Sequence, residues 1–354
     1  MFKPVYNITN KLLLNIKKIS SIIFELNNKR FPEVVLCELE KKAREISTYA
    51  STSIEGNPLP LTDVKQIIKT QPENSGRSEQ EVINYNKTLE ELDKDTQAGS
   101  KNLNLNLILT IHKKLVNKLV PIYQLGKLRV EPVFVNNPKT GKTIYWPPDY
   151  KDVPKLVNDL IDFVNKNRGE IDPIIIAGIF HKQFVIIHPF MDGNGRTTRL
   201  LTKVILADMG LDTFNLFSFE NYYNRNVTSY FDNVGVSGNY YDIADYTDFT
   251  DWLEYFSDGI IDELLRVKKI LAEISISPKT ELLGYHKKIL EFIEKKGFIT
   301  DSDYAKLTER AKATRTLDFK KLIEMGLIER KGKGRATYYQ LSKLNRDSEP
   351  YYKL

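Results

Sequence analysis

Cysteine is almost missing: Cys37 is the only one in 354 residues, so the chain cannot close a disulfide on itself, as expected in a reducing compartment. Long apolar runs are missing too. The longest candidate, residues 174–187, is interrupted by His181 and Lys182 and falls short of the roughly eighteen residues that span a bilayer. The N-terminal segment carries no compact apolar stretch with a small-residue cleavage site. A cytoplasmic protein with no membrane partner is the expectation. Internal repeats and long low-complexity stretches are absent, residues 97–106 being merely rich in Asn and Leu. Two tempting motifs lack a required residue. Asp192-Gly-Asn194 begins like an EF-hand loop, but Thr197 stands where its sixth position demands Gly. Gly141-Lys-Thr143 ends like a Walker A loop, but Asn136 replaces the first Gly.

What is present is ordinary in bulk: 41% hydrophobic and 28% charged residues suit a globular chain of two or three modest domains. The charge is uneven. Residues 306–335 hold ten Lys and Arg against four acids, an excess that equals the net charge of +6 for the whole chain. Apolar spacing at Leu12, Ile16, Ile19 and Ile23, then at Leu39, Ala43 and Ile46, predicts helix over most of 8–55, stopped by Pro58 and Pro60. Helices are expected at 62–69, 78–95, 104–118, 152–167, 172–187, 197–209, 219–232 and 246–274, with a linker at 275–280. Residues 130–136 and 143–146 have β-forming composition around a turn-rich Asn-Pro-Lys-Thr-Gly, which predicts one small hairpin.

Residues 188–199 read His-Pro-Phe-Met-Asp-Gly-Asn-Gly-Arg-Thr-Thr-Arg and carry most of the chemistry. Pro189 disfavours helix at His188, so the preceding apolar helix should end there. Gly193 and Gly195 let backbone amides turn inward before the next helix starts. Free N–H groups and the positive end of the helix dipole then make a site for a polyphosphate. Arg196 and Arg199 add fixed positive charge with bidentate geometry. Asp192 supplies a hard oxygen of the kind Mg²⁺ uses beside nucleotide phosphates. His188 is the group able to accept a proton near neutral pH.

This segment resembles the signature of the Fic (Fido) family, His-Pro-Phe-x-(Asp/Glu)-Gly-Asn-Gly-Arg-x-x-Arg, with all nine specified positions filled. The resemblance implies transfer of AMP from ATP to a protein hydroxyl with release of diphosphate. It makes His188 the base that takes the proton of a target Tyr, Ser or Thr, and Asp192 the holder of Mg²⁺ between the α- and β-phosphates. Gly193, Asn194 and Gly195 would cradle phosphate, and Arg196 and Arg199 would hold the β and γ groups. Thr197 and Thr198 belong to the same ATP-binding segment. The fold implied is mainly α, a helical core with a β-hairpin flap onto which the target adds as an extra strand. Gly126-x-x-Arg129, then Val133-Phe134-Val135 and Tyr145-Trp-Pro-Pro148, is similar to that flap. Tyr223, Arg225 and Tyr230 are candidates for the adenine and ribose side from their position alone.

Residues 51–56 read Ser-Thr-Ser-Ile-Glu-Gly, with Ser51 and Glu55 on one helical face and Gly56 at the stop. They are similar to the family's inhibitory motif, (Ser/Thr)-x-x-x-Glu-(Gly/Asn). By that resemblance Glu55 pairs with Arg199 and denies it to the γ-phosphate of ATP. The same glutamate could instead position a water that removes AMP from a target, and the sequence does not decide between the two directions.

Residues 284–345 form a separate pattern. Tyr285, Ile289 and Ile293 mark one helix, Asp301-Ser-Asp303 opens a second, and a third runs from about Thr308 to Met325 with Phe319, Leu322 and Ile323 inward, stopped by Gly326. Two strand-like pieces follow, joined by Lys331-Gly-Lys-Gly-Arg335. The order resembles a winged helix-turn-helix domain. That would offer Arg310, Lys312 and Arg315 to a major groove of double-stranded DNA and Lys331, Lys333 and Arg335 to phosphates. The expected division is residues 1–100 for the inhibitory region, 101–258 for the catalytic core, 259–283 for a connecting helix and linker, and 284–345 for the winged helix. Two classes of function remain open: an autoinhibited AMP transferase, and a DNA-binding regulator whose core senses nucleotide. A homodimer is also open. His181 reads as a core histidine, and His112 and His286 lack ligand partners at metal spacing.

Overall fold

The structure, a computed structural model, describes residues 2–28, 33–96, 102–136, 140–211, 214–275, 282–325 and 327–341. Of the expected linker at 275–280, Ser275 closes a helix and 276–280 lie outside the described residues, as do the turn at 137–139 and Gly326. The chain divides into two compact units: residues 1–28 with 42–266, and residues 29–41 with 267–354. Among the described residues no helix is long and apolar enough to cross a membrane.

The first unit is mainly helical. In chain order it contains α1 (Asn10–Asn27), the later part of α2 (Glu33–Ile54), α3 (Leu61–Thr70), α4 (Arg77–Thr96), α5 (Leu105–Leu115) and α6 (Val153–Lys166). Then come α7 (Pro173–Ile187), α8 (Asn194–Leu206), α9 (Glu220–Arg225), α10 (Val227–Val234), α11 (Tyr240–Ile243) and most of α12 (Thr250–Ser275). Local chemistry sets the starts: the side chains of Thr9, Asn104 and Asp172 accept from Leu12 N, Leu107 N and Ile174 N at 3.1, 2.9 and 2.8 Å. α7 is apolar on all sides and buried along nearly its whole length, which makes it the axis of the core. It packs against α6 and α8. His188 ends α7 in the left-handed region (φ 50°) before Pro189.

Three expectations shift here. α8 begins at Asn194 instead of 197, because Gly193 (φ 81°) turns the chain directly into the helix, and its expected last turn is a 3-10 turn at Ala207–Met209. The first strand of the hairpin shrinks to β1 (Val135–Asn136), paired antiparallel with β2 (Thr143–Trp146). Residues 130–134 stay irregular because Pro132 has no N–H to give and the preceding Arg129 is bound elsewhere. β3 (Gly238–Asn239) and α11 escaped the sequence reading, and β3 pairs in parallel with β2, leaving β2 in the middle.

In the second unit, α13 (Gly284–Lys296), α14 (Asp301–Leu307) and α15 (Lys312–Glu324) precede an antiparallel pair, β4 (Ile328–Lys331) and β5 (Tyr338–Leu341). Its core gathers Ile289, Ile293, Tyr304, Phe319, Leu322 and Ile328. α15 starts at Lys312, four residues later than the spacing predicts, with Thr308–Ala311 as a loop whose Thr308 hydroxyl accepts from Arg310 N at 3.3 Å. Ile323 faces outward, contrary to expectation, because Phe319 and Leu322 already fill the inward positions.

Candidate active site

The loop between α7 and α8 is tightly clamped. The side-chain amide of Asn194 donates to Phe190 O and accepts from Phe190 N, both at 2.9 Å. That uses up the side chain and leaves Asn194 its backbone alone to offer to a phosphate cradle. His112 on α5 stacks on the Phe190 ring at 3.7 Å. Its Nδ1 accepts from Gly126 N at 3.2 Å, so Nε2 carries the proton and donates to Asp192 O at 3.0 Å. Burial pushes the His112 pKa down to about 4, and the ring is a neutral brace. Arg129 ties the flap to the same loop: its N donates to Pro189 O and its side chain to His188 O, both at 2.9 Å, and to Pro148 O.

His188 is partly buried. Its Nδ1 lies 3.3 Å from Val185 O, and since a carbonyl only accepts, Nδ1 carries the proton and Nε2 keeps a lone pair. Burial lowers its pKa from 6.5, outweighing the hydrogen bond to Val185 that raises it, so the ring is neutral at neutral pH. That is the state a proton acceptor needs.

At the head of α8 the first helical N–H taken internally is that of Thr197, bonded to Gly193 O, which leaves the preceding amides facing outward. A side chain at Gly195 would stand 2.2 Å from Glu55 Oε1, so the Glu55 carboxylate lies directly on the helix start. Arg199, fully buried, donates from Nη2 to Glu55 Oε1 and Ser51 O at 2.8 Å and from Nε to Ser51 Oγ at 2.7 Å. Burial works against its charge, yet Glu55, with Tyr230 and Tyr85 nearby, holds its ionisation above the ordinary arginine value. Its Nη1 is buried with no hydrogen-bond partner, as are Arg196 Nε and the Thr197 hydroxyl, while Arg196 Nη1 has only the Glu81 carboxylate 3.4 Å away. Three unpaired polar atoms at one helix start match the oxygen-rich face of a polyphosphate. Thr198 is different: its hydroxyl donates to Asn194 O at 2.7 Å and is spent inside the helix.

Asp192 Oδ1 accepts from Gly193 N at 2.5 Å and Arg196 Nη2 at 2.9 Å, while Oδ2 accepts from Arg77 Nη2 at 3.0 Å. Among the described residues no group of three His, Cys, Asp or Glu could hold a metal ion by itself. A lone partly exposed carboxylate beside a polyphosphate site does fit Mg²⁺, which takes one or two carboxylates and completes its shell with phosphate oxygens and water. Arg77 and Glu81 went unnoticed in the sequence because α4 carries no motif; only their approach to the α8 loop gives them a role.

Other candidates fall elsewhere. Tyr223 is wholly buried and stacks on Tyr230 at 4.6 Å and on Tyr255 at 5.9 Å, so it belongs to the aromatic core. Tyr230 is buried as well. Thr202 donates its only hydroxyl proton to Thr198 O, so His181 Nδ1–H donates to Thr202, and the Tyr230 hydroxyl donates to His181 Nε2 at 2.9 Å. Arg225 pairs with Asp262 at the surface. None of the three fits the adenine role expected of it. On the flap, Phe134 is exposed and Val133 and Val135 are partly exposed. Tyr145 is instead an anchor, buried with its hydroxyl donating to Ile186 O at 2.9 Å, because alternation turns it inward. Gly56, just past the end of α2, sits in the left-handed region (φ 90°).

The second unit corrects the DNA candidates. Arg310 is bound to Asp318 at 2.9 and 3.2 Å and lies 3.7 Å over the Tyr285 ring. Arg315 makes two 2.9 Å bonds to Asp301 and a third to Arg310 O. Both guanidiniums hold the unit together instead of facing a groove. Lys331 pairs with Glu329 at 3.0 Å, Lys312 and Lys333 are exposed, and the side chain of Arg335 lies outside the described part.

Residues 102–206 match the Fic/DOC family. The chain is 32% identical over 166 residues to the protein adenylyltransferase Fic of Nematostella vectensis, covering 46% of this chain and 37% of that one. It is 30% identical over 211 residues to the protein adenylyltransferase fic-1 of Caenorhabditis briggsae, covering 57% and 40%. The match thus spans about two fifths of these relatives' length. In fold, the chain is similar to a Fic family protein from Desulfovibrio desulfuricans G20, with a TM-score of 0.63 at 22% identity, over 97% of this chain and 99% of that one. It is also similar to Fic-1 from C. elegans, with a TM-score of 0.58 at 22% identity, over 74% and 73%.

Proposed function

We propose that this chain, whose residues 102–206 match the Fic/DOC family, transfers AMP from ATP to a hydroxyl of a protein target and is held inactive by Glu55. The observation that carries the reading is the Glu55 carboxylate lying on the head of α8 and bound to Arg199, where an anionic phosphate would otherwise sit. In the reaction, His188 Nε2 takes the proton of the target hydroxyl. The target oxygen bonds to the α-phosphorus, the bond from that phosphorus to the bridging oxygen breaks, and diphosphate leaves. The amides at 194 and 195 with Arg196, Arg199 and Thr197 receive the phosphates. Asp192 would hold Mg²⁺, whose chemistry is to neutralise phosphate charge. The exposed part of the flap, around Phe134, offers main chain to the target.

Autoinhibition follows from competition. While Glu55 holds Arg199, ATP finds one arginine occupied and meets a like charge at the helix start. The N-terminal inhibitory region, the catalytic core and the C-terminal unit as a winged-helix module are part of the same proposal, the last supported by its order of three helices and a hairpin. The DNA-binding regulator loses support, since two of its three groove candidates are used in internal ion pairs.

The test is transfer of label from α-labelled ATP in a lysate by wild type, Glu55→Gly and Glu55→Gly/His188→Ala. The expected result is weak labelling, labelling raised about tenfold or more, and none, since relieving about 1.4 kcal/mol of competition at Arg199 is a factor of ten. Labelling that is equal in all three would sink the proposal.

A further inference from the structure

The Asp192 carboxylate is enclosed by two guanidiniums that differ in how firmly they are held. Arg196 is on the same helix, is 3% exposed and reaches Oδ1 at 2.9 Å. Arg77, the first residue of α4, is 63% exposed and reaches Oδ2 at 3.0 Å. The rest of Arg77 has light restraint: Nη1 donates to Leu119 O at 3.1 Å, and Nε is 3.9 Å from Glu81 Oε1. Glu81 also stands 3.4 Å from Arg196 Nη1 and so bridges the two arginines. A divalent cation on Asp192 would share a carboxylate with the Arg77 guanidinium, and like charges that close repel. Arg196 cannot leave without breaking buried contacts, but Arg77 has open solvent beside it.

We propose that Arg77 is a gate on the Asp192 carboxylate: it is the counter-ion while no divalent cation is bound, and it must swing into solvent for one to bind. This rests on the reading of Asp192 as the metal-holding group. It adds a second, electrostatic restraint on the site, delivered from α4 and independent of the contact between Glu55 and Arg199. Arg77 is thus a positioning residue that acts through Asp192.

The test is Mn²⁺ binding to the full-length protein, read by water-proton relaxation in the presence of an ATP analogue with a methylene between the α- and β-phosphates. Wild type, Arg77→Gln, Arg77→Lys and Asp192→Ala are compared, with a melting curve on each to verify folding. Arg77→Gln should bind Mn²⁺ roughly two- to five-fold more tightly, the scale of an exposed ion pair. Arg77→Lys should stay near wild type, and the gain should shrink at high salt. Unchanged or weaker binding by Arg77→Gln overturns the gate and leaves the metal reading of Asp192 intact. Unchanged binding by Asp192→Ala overturns both.

Discussion

Arg196 and Arg199 at the head of α8, and Arg310 and Arg315 at the head of α15, all meet carboxylates, but the two sets differ in what they leave over. At α15 the partners Asp301 and Asp318 belong to the same small unit, and both arginines close on them through two nitrogens. At α8 the partner of Arg199 is Glu55, 144 positions earlier in the chain, and two buried guanidinium nitrogens, Arg196 Nε and Arg199 Nη1, have no hydrogen-bond partner. A buried donor left unpaired costs about 1–3 kcal/mol, which a ligand that supplies the missing oxygens would recover. Positive charge alone therefore does not mark a binding site. Leftover hydrogen-bonding capacity does.

The comparison can be broken at several points. The largest effect is expected at His188: in a Glu55→Gly background, His188→Ala should lower AMP transfer by about 10²- to 10⁴-fold, the usual worth of a positioned base. A loss of less than tenfold in single-turnover labelling would remove His188 from the role of base. A fully satisfied buried group gives the contrasting case. Glu220 accepts from Ser47 and Tyr85 at 2.9 Å and lies 3.4 Å from Lys203, tying α2, α4 and α8 to α9. Glu220→Ala should cost about 3–5 kcal/mol in urea unfolding because it leaves Lys203 buried without its counter-charge; a cost below 1 kcal/mol would show the network to be loose. Arg315→Ala should lower the melting temperature while leaving any affinity for duplex DNA unchanged. Lower DNA affinity at an unaltered melting temperature would restore the groove reading.

Two pH effects complete the set. Since burial lowers the His188 pKa below 6.5, the unprotonated base is already dominant at neutral pH. Transfer by Glu55→Gly should be flat above neutrality and decline only under acid conditions; a midpoint above 7 would contradict it. The smallest effect concerns His286, whose pKa burial pushes down to about 4. The unfolded chain, with its histidine near 6.5, takes up the proton first, so this part of the stability is complete above about 6.5 and is lost as pH falls towards 4. His286→Gln should flatten the fall in urea midpoint between those values.

Much of this was legible in residue order. Helix periods are local, and the starts at Thr9, Asn104 and Asp172 use side chains two or three residues away. The base, the carboxylate and the two arginines sit within twelve consecutive residues, so spacing alone brings them to one loop. Tyr223 and Tyr230 show the opposite. Aromatic residues after the core could line a nucleotide pocket or fill an interior, and only the stacked rings decide. Arg77 and Glu81 had no local signal because their partner lies more than a hundred residues on.

By itself the sequence determined the chemistry on offer at 188–199 and the helices that flank it, because both depend on neighbours along the chain. Tertiary structure alone decided which charges are free. Ion pairs join groups by distance in space, and the reach of Glu55 and Arg77 is invisible until helices from separate stretches of chain pack together.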